Sequence, residues 1–338
     1  MRARYWALAM VGSVVAASHS IAARPPQPIR HAPARTELWG FAAPWDPRSA
    51  ATLARHGGAL SAAISGWLRL DTASALPAPA YRDTMRVPLG TRRFLLVTTY
   101  ARDRFHPETI RRLGADSGLR ARAAADIATW ATGHGYRGIV LDFEALTPAD
   151  TTALSVVVKA IADAAHRRHI RPVTIAVPPA DTLTYAARRL RGADLLLAML
   201  YDEHWSTGLP GPIASPDWVQ HLIGPWIAAA GASRIVAALP VYGYLWKPQA
   251  PTTVLSFADA QREAAAAGAL LSRDSASGAL HYARPDSAQG WVSDATQLDT
   301  LMRQTRAAGV HRFAFWRLGL EDPAIWRLLQ PHTINRAR

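Results

Sequence analysis

Cysteine is absent from the 338 residues, so thiol catalysis, thiolate metal sites and disulfides are all excluded. A chain of this length can stabilise itself through its core and needs no cross-links. Lysine is nearly absent too: of 38 basic residues only Lys159 and Lys247 are lysines. The formal charge of +13 therefore rests on arginines scattered among abundant alanines. That pattern reads as compositional bias, and no nucleic-acid motif accompanies it, so nucleic acid is not expected as a partner. A basic surface would still favour anionic envelope polymers. No Gly-rich phosphate loop follows the first apolar run, which argues against an open dinucleotide-binding sheet. Ser65-Gly66 and Ser206-Thr207 show neither a nucleophile elbow nor a paired histidine, so a serine hydrolase is not expected.

Long apolar runs are also missing after the N-terminus. Met1-Arg2-Ala3-Arg4 precedes an apolar stretch from Tyr5 to Ala17 and then Ser20-Ile21-Ala22. A basic start, a short apolar run and small residues read as an export signal over 1–22. The expected product is periplasmic or secreted and carries no stable membrane span once the signal is removed. A Pro-, Ala- and Arg-rich leader follows over 23–36, and 331–338 reads as a tail.

The body, 37–330, holds eight apolar runs, most of them separated by Ala-rich helical patterns. The runs are Glu37–Trp45, Leu60–Leu70, Arg93–Tyr100, Gly138–Glu144, Pro172–Val177, Asp194–Tyr201, Arg234–Tyr242 and His311–Leu318. Helical patterns cover Leu119–Gly133, Pro148–Arg168, Pro216–Gly231 and Asp294–Gly309, whereas Asp71–Arg86 reads as loop. Strands alternating with helices imply parallel βαβ units. Eight of them predict an α/β fold closed as a (β/α)8 TIM barrel. The long connection 247–295 is expected to form a small insertion between strands 7 and 8.

The run from Gly138 to Glu144 carries the most chemistry. Side chains alternate along a strand, so Gly138, Val140, Asp142 and Glu144 share one face and Ile139, Leu141 and Phe143 the other. A strand that is apolar on one side and acidic only at its C-terminal end suits a barrel whose reactive groups gather at that end. The other strand ends add aromatics and acids: Trp45, Trp67, Tyr100, Tyr201, Asp202, Trp205, Tyr242, Tyr244, Trp246 and Trp316. Aromatic faces stack on the C–H faces of sugar rings and carboxylates bind hydroxyls, so this rim is expected to bind a polysaccharide. Asp46 fits an N-cap ahead of Pro47. His166 and His169 suit a solvated helix end better than a metal site. No metal or cofactor is expected.

In these motifs the chain resembles glycoside hydrolase family 18, the chitinase family. Arg137-Gly138-Ile139-Val140-Leu141-Asp142-Phe143-Glu144 is similar to that family's Asp-Gly-x-Asp-x-Asp-x-Glu strand. Met199-Leu200-Tyr201-Asp202 is similar to its Met-x-Tyr-Asp, and Trp316 to its eighth-strand Trp. Tyr201-Asp202-Glu203-His204-Trp205 and Trp316-Arg317-Leu318-Gly319 resemble a bacterial branch with spore-cortex-lytic enzymes and hydrolase domains fused to polysaccharide deacetylases or glycosyltransferases. The resemblance spans about Glu37 to Leu329. It implies a glycosidase acting on β-linked N-acetylhexosamine polymers, with Glu144 as general acid and the substrate's own acetamido oxygen as nucleophile. Asp142 would orient the acetamido N–H and Tyr201 would bind its carbonyl. Trp316 would floor the sugar subsite, and Asp202 would bind a hydroxyl. Two of the family's aspartates are replaced, by Arg137 and Val140. Val140 lies one layer below Asp142 and removes a polar partner from it. That leaves two readings, a hydrolase that tolerates the change and a silent carbohydrate-binding barrel. Retention of Glu144 favours the first.

Overall fold

The structure is a computed structural model that describes residues 36–329 apart from residue 83. The signal, most of the leader and the tail expected at 1–22, 23–36 and 331–338 lie outside the described residues, save Thr36. Eight parallel strands close on themselves: β1 (Glu37–Phe41), β2 (Ala62–Leu70), β3 (Arg92–Thr98), β4 (Gly138–Asp142), β5 (Val173–Val177), β6 (Leu195–Met199), β7 (Ile235–Pro240) and β8 (Arg312–Trp316). Each pairs with the next, and β8 pairs with β1 to seal the barrel. The expected (β/α)8 barrel is therefore the fold.

Strand alternation sorts the residues as the sequence predicts. Ile139, Leu141 and Phe143 are fully buried against the helices in the outer core. Val140 instead joins Trp39, Ile64, Phe94, Leu96 and Leu197 inside the barrel, an apolar plug that also meets the buried Thr174 paired with Val140. Gly138 is needed at the foot of β4, because a Cβ there would stand 2.7 Å from the Phe94 ring that fills the floor.

The helices are α1 (Pro47–His56), α2 (Pro107–Ala115), α3 (Ser117–Gly133), α4 (Thr151–His166), α5 (Pro216–Ala230), α6 (Phe257–Ala266), α7 (Ala295–Ala307) and α8 (Ile325–Leu328). Asp46 caps α1: its side chain accepts from the Arg48 backbone N–H at 3.0 Å. No helix follows β2; Pro77–Pro79 instead adds antiparallel to the end of that strand. Only turns join β5 to β6. At the end of α4, His166 meets Asp194 at 2.8 Å, an acid 28 residues away that local spacing does not reveal. Among the described residues no group of three His, Cys, Asp or Glu side chains is placed to hold a metal.

The insertion is a five-stranded antiparallel sheet with α6 against it, running from Gly243 to Val292 rather than 247–295. Its first strand, Gly243–Lys247, starts where a Cβ at Gly243 would lie 2.0 Å from the Trp291 carbonyl oxygen. Tyr244 and Trp246 thereby belong to the insertion and not to the end of a barrel strand.

Candidate active site

A cleft of about 840 Å³ opens at the C-terminal ends of the barrel strands, with Asp142 and Glu144 in it. Asp142 ends β4, and its carboxylate accepts from the Thr98 hydroxyl at 3.0 Å. Thr98 Oγ1 itself accepts from the Tyr100 backbone N–H at 2.9 Å, so its one proton is directed at Asp142. Below Asp142 stands Val140, which offers no hydrogen bond.

Glu144 lies just past the strand and bonds Asp142. The chain then turns at Ala145, whose φ of +57° is left-handed. The fully buried Tyr185 holds this turn: its hydroxyl donates to the Phe143 carbonyl at 2.5 Å and accepts from the Leu146 N–H. The clamp therefore grips the backbone on both sides of Glu144. Tyr185→Phe is expected to lower kcat roughly tenfold and leave KM within about twofold, because losing both buried hydrogen bonds of its hydroxyl misplaces the carboxyl without touching sugar. Steady-state kinetics check this, and a change confined to KM would contradict it.

Burial dominates the electrostatics of the pair. It pushes the Asp142 carboxyl up to about 6, against the opposing bonds from Thr98 and Glu144. Burial also pushes Glu144 well above its usual 4.5, and the charges of Asp142 and Asp202 push the same way. Burial thus favours the protonated form of both carboxyls, and Glu144 is pushed further the same way by the charge of its partner.

Tyr201 and Trp316 stand nearly parallel over the cleft, ring centroids 6.1 Å apart with 12° between planes. Phe41 buttresses Trp316 edge-on at 5.1 Å. Trp45, Trp67 and Tyr100 also line the cleft, with Trp67 anchored through its indole N–H to the Ala42 carbonyl at 3.0 Å. Asp202 lines it as well, at a left-handed φ of +62°. Its Oδ1 accepts from the hydroxyls of Tyr242 and, at 3.1 Å, Tyr244.

Four expected contact residues do not line the cleft. Tyr242, Tyr244 and Trp246 are at most 9% exposed, and Tyr242 and Tyr244 turn their hydroxyls to Asp202 instead. The insertion's sheet draws Tyr244 and Trp246 away from the opening by pairing them with Trp291 and Gln289. Trp205 is 53% exposed outside the cleft, its indole N–H bonded to Thr207 at 2.9 Å. Conversely, sequence reasoning missed Thr98, Tyr81, Arg69 and Arg102, all of which line the cleft. Tyr81 packs 5.4 Å from Trp45 but lies in the Pro-rich loop, where no periodicity points to a face. A Tyr two residues after a strand-end Thr is the one signal that could have raised Thr98.

No protein-family model matches the chain. A glycosylase, YvbX, from Bacillus subtilis (strain 168) is 25% identical over 246 residues, 68% of this chain and 71% of that protein. The cortical fragment-lytic enzyme of the same organism is 24% identical over 264 residues, 71% of this chain but only 60% of that protein. A GH18 chitinase from Cycas revoluta, solved in complex with (GlcNAc)3, superposes with a TM-score of 0.74 at 16% identity, over 87% of this chain and 98% of that one. By fold this chain is a (β/α)8 barrel, and it is similar in sequence to the glycosylase and cortical fragment-lytic enzyme of Bacillus subtilis and in fold to the family 18 chitinase.

Proposed function

We propose that the chain hydrolyses β-linked polysaccharides containing N-acetylhexosamine, with retention of configuration and with the substrate's acetamido oxygen as nucleophile. The observation that carries this is the buried pair: Glu144 bonded to Asp142 in an aromatic-walled cleft, with burial favouring its protonated form. Glu144 protonates the departing glycosidic oxygen. Asp142, fixed by Thr98, orients the acetamido N–H and bears on the positive charge that develops as the carbonyl oxygen attacks C1. The Tyr201 hydroxyl donates to that carbonyl, which aims the attack. Water then opens the cyclic intermediate from the face the leaving group vacated, with Glu144 now taking its proton. Trp316 floors the reacting sugar, and Trp45, Trp67 and Tyr100 extend the binding wall. Tyr242 and Tyr244 occupy one oxygen of Asp202 and leave Oδ2 for a sugar hydroxyl. These residues use proton transfer and positioning, and the reading requires no cofactor.

The relatives' names also support a place in the cell envelope or outside the cell. Among the described residues no helix is long and apolar enough to cross a membrane. Val140, which leaves Asp142 without a partner from below, favours one second reading, a silent carbohydrate-binding barrel. Incubation with N-acetylglucosamine oligomers and peptidoglycan fragments separates the two. Shortened products by mass spectrometry, with retained anomeric configuration by NMR, are expected; binding of oligomers without products would leave the silent barrel.

A further inference from the structure

We propose that Arg69 and Arg102 form an oxyanion subsite in the cleft, and that the glycan taken there carries an acidic group, a carboxylate or a phosphate ester. This rests on the glycan-binding reading of the cleft above.

The placement follows from strand register. Arg69 pairs with Thr98, and Thr98 with Asp142, so the three stand at one level on β2, β3 and β4. Two strand spacings of roughly 4.8 Å put the Arg69 backbone about 10 Å from that of Asp142. Trp67 and Arg69 alternate onto the cleft face, while Leu68 and Leu70 enter the outer core. An exposed guanidinium thus stands beside the aromatic wall and close to the buried pair.

Arg102 arrives by a different route. A hairpin pairs Tyr100–Ala101 with Arg104–Phe105, and its two turn residues, Arg102 and Asp103, have φ of +50° and +62°. A two-residue hairpin loop favours this left-handed geometry at both positions, and it fixes the direction in which the backbone presents Arg102. The hairpin is braced: the Tyr100 and Phe105 rings meet edge-on at 5.1 Å, and a ring nitrogen of His106 bonds the Ala101 carbonyl at 3.0 Å. A braced turn holds Arg102 at the cleft.

Neither arginine has a hydrogen bond or ion pair among the described residues. Asp71 is close enough to Arg69 to feel its charge, and Asp103 lines the cleft beside Arg102, but neither acid forms an ion pair or hydrogen bond with them. Asp71 spends one oxygen on Ala73 N, Ser74 N and Ser74 Oγ, at 3.0, 2.8 and 3.0 Å. Asp103 is exposed at the hairpin tip, where it too lines the cleft, and it makes no ion pair among the described residues. Two unpaired guanidinium forks in a cleft suit an oxyanion, which they bind bidentately where a neutral sugar cannot respond.

The test compares same-length N-acetylglucosamine oligomers: neutral, bearing a lactyl-ether carboxylate, and bearing a 6-phosphate. Kd by calorimetry and kcat/KM are read for the wild type, the Arg69→Ala/Arg102→Ala double variant and the double Lys variant, at low and high salt. The wild type is expected to prefer one charged oligomer by about tenfold, in Kd and KM rather than kcat. The preference should weaken with salt, persist in part with Lys, and collapse to within about twofold with Ala. Which charged oligomer wins names the group. Equal binding of neutral and charged oligomers, or a preference that survives the Ala substitutions, would overturn the subsite. If no oligomer is cleaved, the hydrolase reading fails, while the Kd ratios still decide the subsite.

Discussion

Glu144→Gln is expected to lower kcat by at least about a thousandfold while oligomer Kd stays within about threefold. A positioned general acid contributes roughly a hundred- to ten-thousandfold. Gln keeps the shape and can still donate a hydrogen bond, but it cannot deliver a proton. The variant also has a signature that misfolding would not produce. Burial raises Glu144 above its usual 4.5 in the folded state, so the fold favours the protonated form. The stability tied to that group is complete below about 4.5 and is lost as pH rises through the folded value. Gln carries no such loss. Its melting temperature should match the wild type near pH 4 and exceed it at pH 8. Lost turnover with a lower melting temperature at both pH values would instead indicate damage to the fold. Turnover retained to within tenfold would remove Glu144 from the role of acid.

Asp142→Asn is expected to lower kcat by roughly a hundredfold or more, since the charge that opposes the developing positive acetamido group is gone. Its effect on the pH profile has a definite direction. The wild-type profile of kcat/KM should be bell-shaped, and its two limbs belong to the coupled pair. Activity falls on the acidic side as Asp142 takes a proton near 6, and on the alkaline side as Glu144 loses its own. The Asp142 charge and its hydrogen bond both raise Glu144. Asn removes the charge, so the alkaline limb must move to lower pH. A limb that stays in place would mean that Asp142 does not act on Glu144. Because Val140 gives no support from beneath, Thr98 is the hydroxyl on which Asp142 depends, and Thr98→Val should reproduce a weaker version of the same loss.

The run Gly138–Glu144 was legible because strand alternation is local: it separates Val140 and Asp142 from Ile139 and Leu141 whatever the rest of the chain does. Eight such runs with helical patterns between them imply barrel closure, and closure gathers Asp142, Tyr201 and Trp316 at one end. The same rule failed at Tyr242, Tyr244 and Trp246. They follow a barrel strand in sequence, but the direction of Tyr244 and Trp246 is set by pairing with Trp291 and Gln289, more than forty residues on. Trp205 failed for a related reason, since it lies on an irregular segment where no period assigns a face. Tyr81, Arg102 and Tyr185 were hidden for the same cause, each on a loop or turn brought to the site by contacts distant in sequence.

By itself, then, the sequence determined the barrel, the strand that leads into the two carboxyl groups and the apolar Val140 beneath Asp142, because those depend on period and order along the chain. Only the tertiary structure decided that Thr98 rather than a lower carboxylate holds Asp142, that Tyr185 clamps the backbone around Glu144, and that two arginines rather than Tyr242, Tyr244 and Trp246 share the cleft. Each of those depends on which distant segments meet, and on the burial that their meeting creates.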